Sequence, residues 1–275
     1  MRAERSAGPG PLAPLAHLDP AAAAGRAPPR PRAKAFERKR RRSRRILDLE
    51  SRSPLKTFFT AGVEYDERTD LVGLASFLAD FRAFVESLHV DPSWGRGVEI
   101  KFRRLGRHRA DGLYYPEQGV LVVDVKSAKS FAHEFGHLMD YRSSAGGGTD
   151  GPHAALSRRD GFEPLRRLLV ARLEALGPGD PRLGRGPRSR LSYLYFASPT
   201  ECFARAFEQY AAETMPWPTS LAGTRERYRE DPLFLAAPPT YFFDYFERLL
   251  AKDPCQLGGL LTQCGHAREA QPAPA

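Results

Sequence analysis

The sequence predicts an α+β fold, with a small mixed sheet packed on a helix that carries two histidines and a helical C-terminal part. Three observations point there. Short runs suited to strands are confined to the stretch between Gly97 and Val125. Apolar residues at helical spacing lie on either side of it. A 275-residue chain with 41% hydrophobic residues has enough apolar side chains for a packed core.

Residues 1–52 are rich in Pro, Ala and Arg and show no hydrophobic period, so they read as a disordered basic tail. Its first 50 residues hold 13 Lys/Arg against 5 Asp/Glu, which accounts for nearly all of the formal net charge of +9. The folded part is therefore close to neutral. Inside the tail, "RKRRRSRR" (Arg38–Arg45) has seven basic residues in eight. It suggests a contact with nucleic acid or an anionic surface, the plainer reading being a solvated linker. No aromatic residue interleaves the run, which argues against stacking on single strands.

Residues 53–254 read as one domain, and residues 255–275 as a C-terminal tail. "LVGLASFLADFRAFVESLHV" places Leu71, Leu74, Leu78, Phe81, Val85 and Leu88 on one helical face, with Asp70 as N-cap. "GVEIKFRRL" and "GLYYPEQGVLVVDV" read as strands, the latter a hairpin turned at "PEQG". The nearly continuous apolar run Val120–Val125 predicts a strand buried on both faces. A helix from about Ser127 to Arg142 follows, then a glycine-rich loop to His153 and a helix over Pro164–Leu176. The stretch Gly177–Arg190 reads as a second loop, long and basic. Two more helices close the domain: "SPTECFARAFEQYAAE", with Ser198 as N-cap and Pro199 at the first helical position, and "PPTYFFDYFERLLAKD".

The chemistry concentrates in "HEFGH". On a helix, positions i and i+4 share a face, so His133 and His137 can present imidazole nitrogens to one zinc ion. Glu134 then stands beside that ion, where a general base is needed. With 7 histidines in the chain, about 0.01 such matches are expected by chance.

A catalytic zinc normally takes three protein ligands. The continuation HExxHxxGxxH is absent, because "HEFGHLMDYRS" offers Met139, Asp140 and Tyr141 where the glycine would stand and ends without a third histidine. The third ligand is then expected to be a carboxylate on a later helix. Glu201 and Glu208 lie seven residues apart on one side of the same helix. Glu201 also fits a capping box with Ser198, in which it would only cap its own helix. Glu208 is either the ligand itself or a partner of a ligating histidine, a role open to Asp140 as well, unless Asp140 is an exposed helix-end carboxylate.

"HEFGHLMD" together with the downstream "YLYFASPTECFARAF" resembles the catalytic domain of anthrax lethal factor and the gluzincin metallopeptidases related to it. It is also similar to metallopeptidase-like domains of large phage and mobile-element polyproteins. The resemblance spans roughly Gly112–Tyr210 and, loosely, the last apolar helix. It implies a zincin-like metallopeptidase fold, with His133, His137 and Glu201 binding zinc and Glu134 acting as base. It further implies a tyrosine facing the metal, Tyr195 or Tyr193, although the spacing from tyrosine to glutamate differs from the family's.

The expected activity is zinc-dependent endopeptidase cleavage of a polypeptide held in extended form along a sheet edge, "GLYYP" or "GVLVVDV". Two other readings differ in kind: a non-catalytic zincin-fold binding or assembly module attached through the basic tail, and a toxin or effector protease delivered to another cell. No run of 18 or more apolar residues occurs, so no transmembrane segment is expected. The prolines of "PLAPLAHL" do not read as a secretory signal, so the default is the cytoplasm, or export without such a signal. Three scattered cysteines are too few for a disulfide framework, the one short closure on offer being Cys255–Cys264.

Overall fold

A computed structural model describes residues 37, 42–106, 110–145, 155–177, 180, 182–183, 192–215 and 219–251, with side chains omitted for 143–145. The chain divides into residues 1–30 and 31–275, and every described residue lies in the second unit. Four strands and eight α-helices occur among the described residues, which makes the class α+β.

The strands are β1 (Gly62–Tyr65), β2 (Glu99–Phe102), β3 (Gly112–Tyr115) and β4 (Val120–Val123). Their order is β1-β2-β4-β3, with β1/β2 and β2/β4 parallel and β3/β4 antiparallel. The sheet is thus small and mixed, as expected, and the hairpin turns at Pro116–Gly119. β4, the sequence "VLVV", is interior and buried along its whole length, so it offers no edge. β3 is an edge strand.

Alternation sorts the sheet into two faces. Val63, Tyr65, Ile100, Phe102, Leu121 and Val123 point into the main core, while Val120 and Val122 pack with Leu105 in a small second cluster. Glu64 and Lys101, partners in register, lie on that second face.

The helices are α1 (Arg44–Ser51), α2 (Leu71–Ser87), α3 (Phe131–Ala145), α4 (Glu163–Leu176), α5 (Tyr193–Phe196), α6 (Pro199–Thr214), α7 (Arg225–Glu230) and α8 (Thr240–Leu250). α2 begins at Asp70, whose carboxylate accepts from the N–H groups of Val72 and Gly73. Its buried face is Leu74, Phe77, Phe81 and Phe84, rotated from the expected one, and Leu71 is exposed. The reason is aromatic: Phe77, Phe81 and Phe84 each meet Phe131 of α3 edge-on, at 5.3–5.6 Å between centroids. The helix expected from Ser127 starts at Phe131, because residues 125–130 form a 3-10 turn in which Ser127 has non-helical backbone angles.

Order sets in before residue 53. α1 lies inside the expected tail, capped by the Ser43 hydroxyl, which accepts from Ile46 N–H. Its Glu50 is buried and accepts from Tyr65 N–H at 3.0 Å, and Arg42 pairs with the same carboxylate at 2.5 Å. The buried face holds Ile46 and Leu49 with this carboxylate beside them, so a charged residue interrupts the short apolar pattern. Arg42 is thereby used within the fold, whereas Arg44 and Arg45 are exposed and residues 38–41 lie outside the described residues. The C-terminal tail with Cys255 and Cys264, and most of the two expected loops, also lie outside them. Among the described residues no helix is long and apolar enough to cross a membrane.

Candidate metal centre

α3 has two faces of different chemistry. Phe131, Phe135, Leu138 and Met139 are fully buried in the core, and His133, Glu134 and His137 are half-buried on the other side. α6 crosses against it, buried on nearly every face and carrying Glu201 in its first turn. The two helices touch at Gly136, where a Cβ would stand 2.8 Å from the Cα of Ala204. Only a residue without a side chain permits that approach.

The approach brings three side chains together. Glu201 Oε1 lies 3.3 Å from His137 Nε2, and Glu201 Oε2 lies 3.5 Å from His133 Nε2. The donor atoms of His133, His137 and Glu201 all lie within 4.8 Å of one another, a cluster able to hold a metal ion. Glu201 forms no capping box. Ser198 gives both its N–H and its hydroxyl to the Tyr195 carbonyl, at 3.1 and 2.8 Å, so nothing at Ser198 awaits the glutamate.

Glu208, left open between two roles, sits behind the cluster: its Oε2 is 3.1 Å from His133 Nδ1. An ionised carboxylate only accepts, so this contact holds a proton on Nδ1 and makes Nε2, which faces Glu201, the nitrogen available to an ion. Asp140 is fully buried rather than exposed, and its Oδ1 accepts from Ser157 N–H at 2.7 Å. His137 Nδ1 is buried and has no hydrogen-bond partner among the described residues, so Asp140 does not hold it directly.

Electrostatics follow from this crowding. Burial alone would lower the His133 pKa, but the carboxylates of Glu201 and Glu208 outweigh it and hold it well above the usual value. For Glu201, burial is outweighed by His137 and His133, which keep the carboxyl well below its usual range. Burial pushes the Glu134 carboxyl up, against the pull of His137, His133 and the Tyr114 backbone N–H.

No protein-family model, curated protein or solved structure matches this chain.

The two tyrosines part company. Tyr195 faces the cluster: burial raises its pKa, and the neighbouring Glu201 carboxylate, to which it hydrogen-bonds, raises it further. Tyr193 faces away, its hydroxyl 3.4 Å from Glu174 on α4. Residues two apart on a helix project to opposite sides, and α5 is a short helix that imposes this separation. Buried Arg205 ties α5 to α6, donating to the Phe196 carbonyl and, at 2.5 Å, to the Leu233 carbonyl.

Sequence reasoning missed two further contributors. A Cβ on Gly112 would stand 2.6 Å from Glu134 Cγ and 2.8 Å from Ser130 Oγ, so glycine there makes the seat for Glu134. Tyr114 supplies its backbone N–H to the same carboxylate. Neither leaves a signal in composition or periodicity.

Proposed function

We propose that this protein is a zinc-dependent endopeptidase with a zincin-like fold of the gluzincin type. The observation that carries the reading is the convergence of His133, His137 and Glu201, two helices apart in the chain, with Glu134 seated beside them. Two imidazoles and one carboxylate make a known donor set of catalytic zinc. Ligand atoms about 2.0–2.2 Å from a tetrahedral ion stand roughly 3.3–3.6 Å apart, and Glu201 is 3.3 and 3.5 Å from the two imidazole nitrogens.

Zinc held there would supply a Lewis acid that polarises a carbonyl and acidifies water. The chain's own residues do the rest. Glu134, its carboxyl raised by burial, takes a proton from the attacking water and returns it to the leaving amine. Tyr195 keeps its proton and donates to the oxygen on which negative charge develops. The edge strand β3, which carries Tyr114 next to Glu134, receives an extended polypeptide by strand addition.

The built seat of Glu134 favours this reading over a non-catalytic binding module, for which a base has no use. Elemental analysis and a peptide-library digest test both. Wild type and Glu134→Gln are expected to hold one zinc per chain, Glu201→Ala none, and only wild type to cut. Wild-type protein without zinc would overturn the proposal, and zinc without cleavage would leave the binding module as the better account.

A further inference from the structure

A histidine that binds a metal through Nε2 depends on whatever holds its Nδ1 proton, and that holder must itself be fixed. Glu208 holds Nδ1 of His133 with one oxygen. Its other oxygen, Oε1, lies 2.7 Å from the hydroxyl of Tyr228, a residue of α7 ninety-five positions from the histidine in sequence. The carboxylate can only accept, so the Tyr228 proton points to Glu208. The Tyr228 oxygen in turn accepts from Gly223 N–H at 2.6 Å. Every proton in the chain Gly223–Tyr228–Glu208–His133 therefore has one destination.

The surroundings are built for this chain. Tyr228 is 1% exposed, and its ring meets Phe234 edge-on at 4.7 Å. A Cβ on residue 223 would stand 2.9 Å from the Tyr228 hydroxyl, so glycine is what lets the phenol reach the backbone. The same segment is fastened to the helices it serves: the Leu221 carbonyl accepts from Ala132 N–H, one residue before His133, at 3.0 Å. Ser220 N–H donates to Asp80 on α2 at 2.7 Å.

We propose that Tyr228 is a positioning residue for the metal centre, its hydroxyl fixing Glu208 so that the His133 ring presents Nε2 to the ion. The inference rests on the metal-site reading above and adds to it a residue that touches neither metal nor substrate.

The test is zinc affinity of the full chain, measured by competition with a chromophoric chelator, together with the thermal midpoint of the metal-free protein. Tyr228→Phe keeps the ring and its packing and removes one hydroxyl. It is expected to weaken zinc binding about tenfold, at the low end of the range for groups behind a ligand. The double variant Glu208→Gln/Tyr228→Phe should bind no more weakly than Glu208→Gln alone, because the tyrosine acts only through the glutamate. Gly223→Ala, which keeps the hydroxyl but crowds it, should weaken binding in the same direction. Unchanged affinity in both Tyr228→Phe and Gly223→Ala, whatever the midpoint does, overturns the proposal, as do losses that multiply in the double variant. A wild type that binds no zinc would instead remove the metal-site reading, and that outcome shows itself before any variant is made.

Discussion

Glu134 owes its place to two neighbours without reactive groups, the bare Cα of Gly112 and the backbone N–H of Tyr114. Gly112→Ala must therefore displace Glu134 while leaving the three donor side chains alone. We expect zinc content to stay at the wild-type level and peptide hydrolysis to fall about 100-fold, the cost of roughly 1 Å of misplacement. Tyr195→Phe should also keep its zinc and lose about 100-fold in kcat, as removal of one donor to a developing oxyanion does. Tyr193→Phe, with its hydroxyl on Glu174, should change neither. At this scale His133, Glu134 and His137 were legible because a helix fixes i, i+1 and i+4 relative to one another without help from the rest of the chain. Helical spacing alone did not separate Glu201 from Glu208, because both share a face of α6; the resemblance named Glu201, and the crossing with α3 sets it by Nε2 and Glu208 by Nδ1. Tyr195 was the preferred tyrosine and Tyr193 the alternative, and only the short helix α5 sets the two on different partners, Glu201 and Glu174.

Between elements, the α3–α6 contact decides whether there is a site at all. Alanine in place of Gly136 would gain about 1 kcal/mol in helix propensity. Its Cβ, however, would meet the backbone of Ala204 at 2.8 Å, and backbone on a buried helix cannot step aside. Overpacking of this kind costs about 1–3 kcal/mol, so the clash outweighs the propensity. Gly136→Ala is expected to lower the thermal midpoint and, by parting Glu201 from the histidines, to weaken zinc binding more than a stability loss alone would. Retention of full zinc affinity would mean that the helices can separate without disturbing the donors. Elements with a long apolar period, α2, α6 and α8, and the hairpin with its turn residues were readable from sequence. α1, β1 and α7 were not: each is short, and each buries a polar residue, Glu50, Glu64 or Tyr228, whose partner lies elsewhere in the chain. The rotation of the buried face of α2 was unreadable for a related reason, since Phe77 and Phe84 are drawn inward by the rings of α3.

Over the whole molecule, the sheet separates two kinds of interior. Its inner face packs on an aromatic core that carries α3, and its outer face buries charge: Glu64 pairs with Lys101 at 3.1 Å and with Arg103, and Lys101 also reaches Glu99 at 3.1 Å. Glu64 and Lys101 are each 2% exposed, so solvent screens the pair little. Burial pushes the Glu64 carboxyl up, but Arg103 and Lys101 outweigh that and hold it below its ordinary value of 4.5. A carboxyl whose folded pKa is depressed stabilises the fold at pH above its unfolded value and loses that contribution as pH falls through the folded one. Glu64→Gln, which leaves two cations with less than their full complement of charge, should cost about 3–5 kcal/mol at pH 7, as breaking a buried pair does. That cost has a pH signature which a packing defect lacks. Below pH 4.5 the unfolded wild-type carboxyl takes up a proton that the folded one still resists, so the stability drawn from its charge is progressively lost and the gap between the two proteins in thermal midpoint should narrow as pH falls. Thermal unfolding of both at intervals from pH 7 to pH 3 measures it. A gap that stays constant would show that the substitution acts through shape rather than charge, and that the outer face is held by its apolar cluster of Leu105, Val120 and Val122 instead.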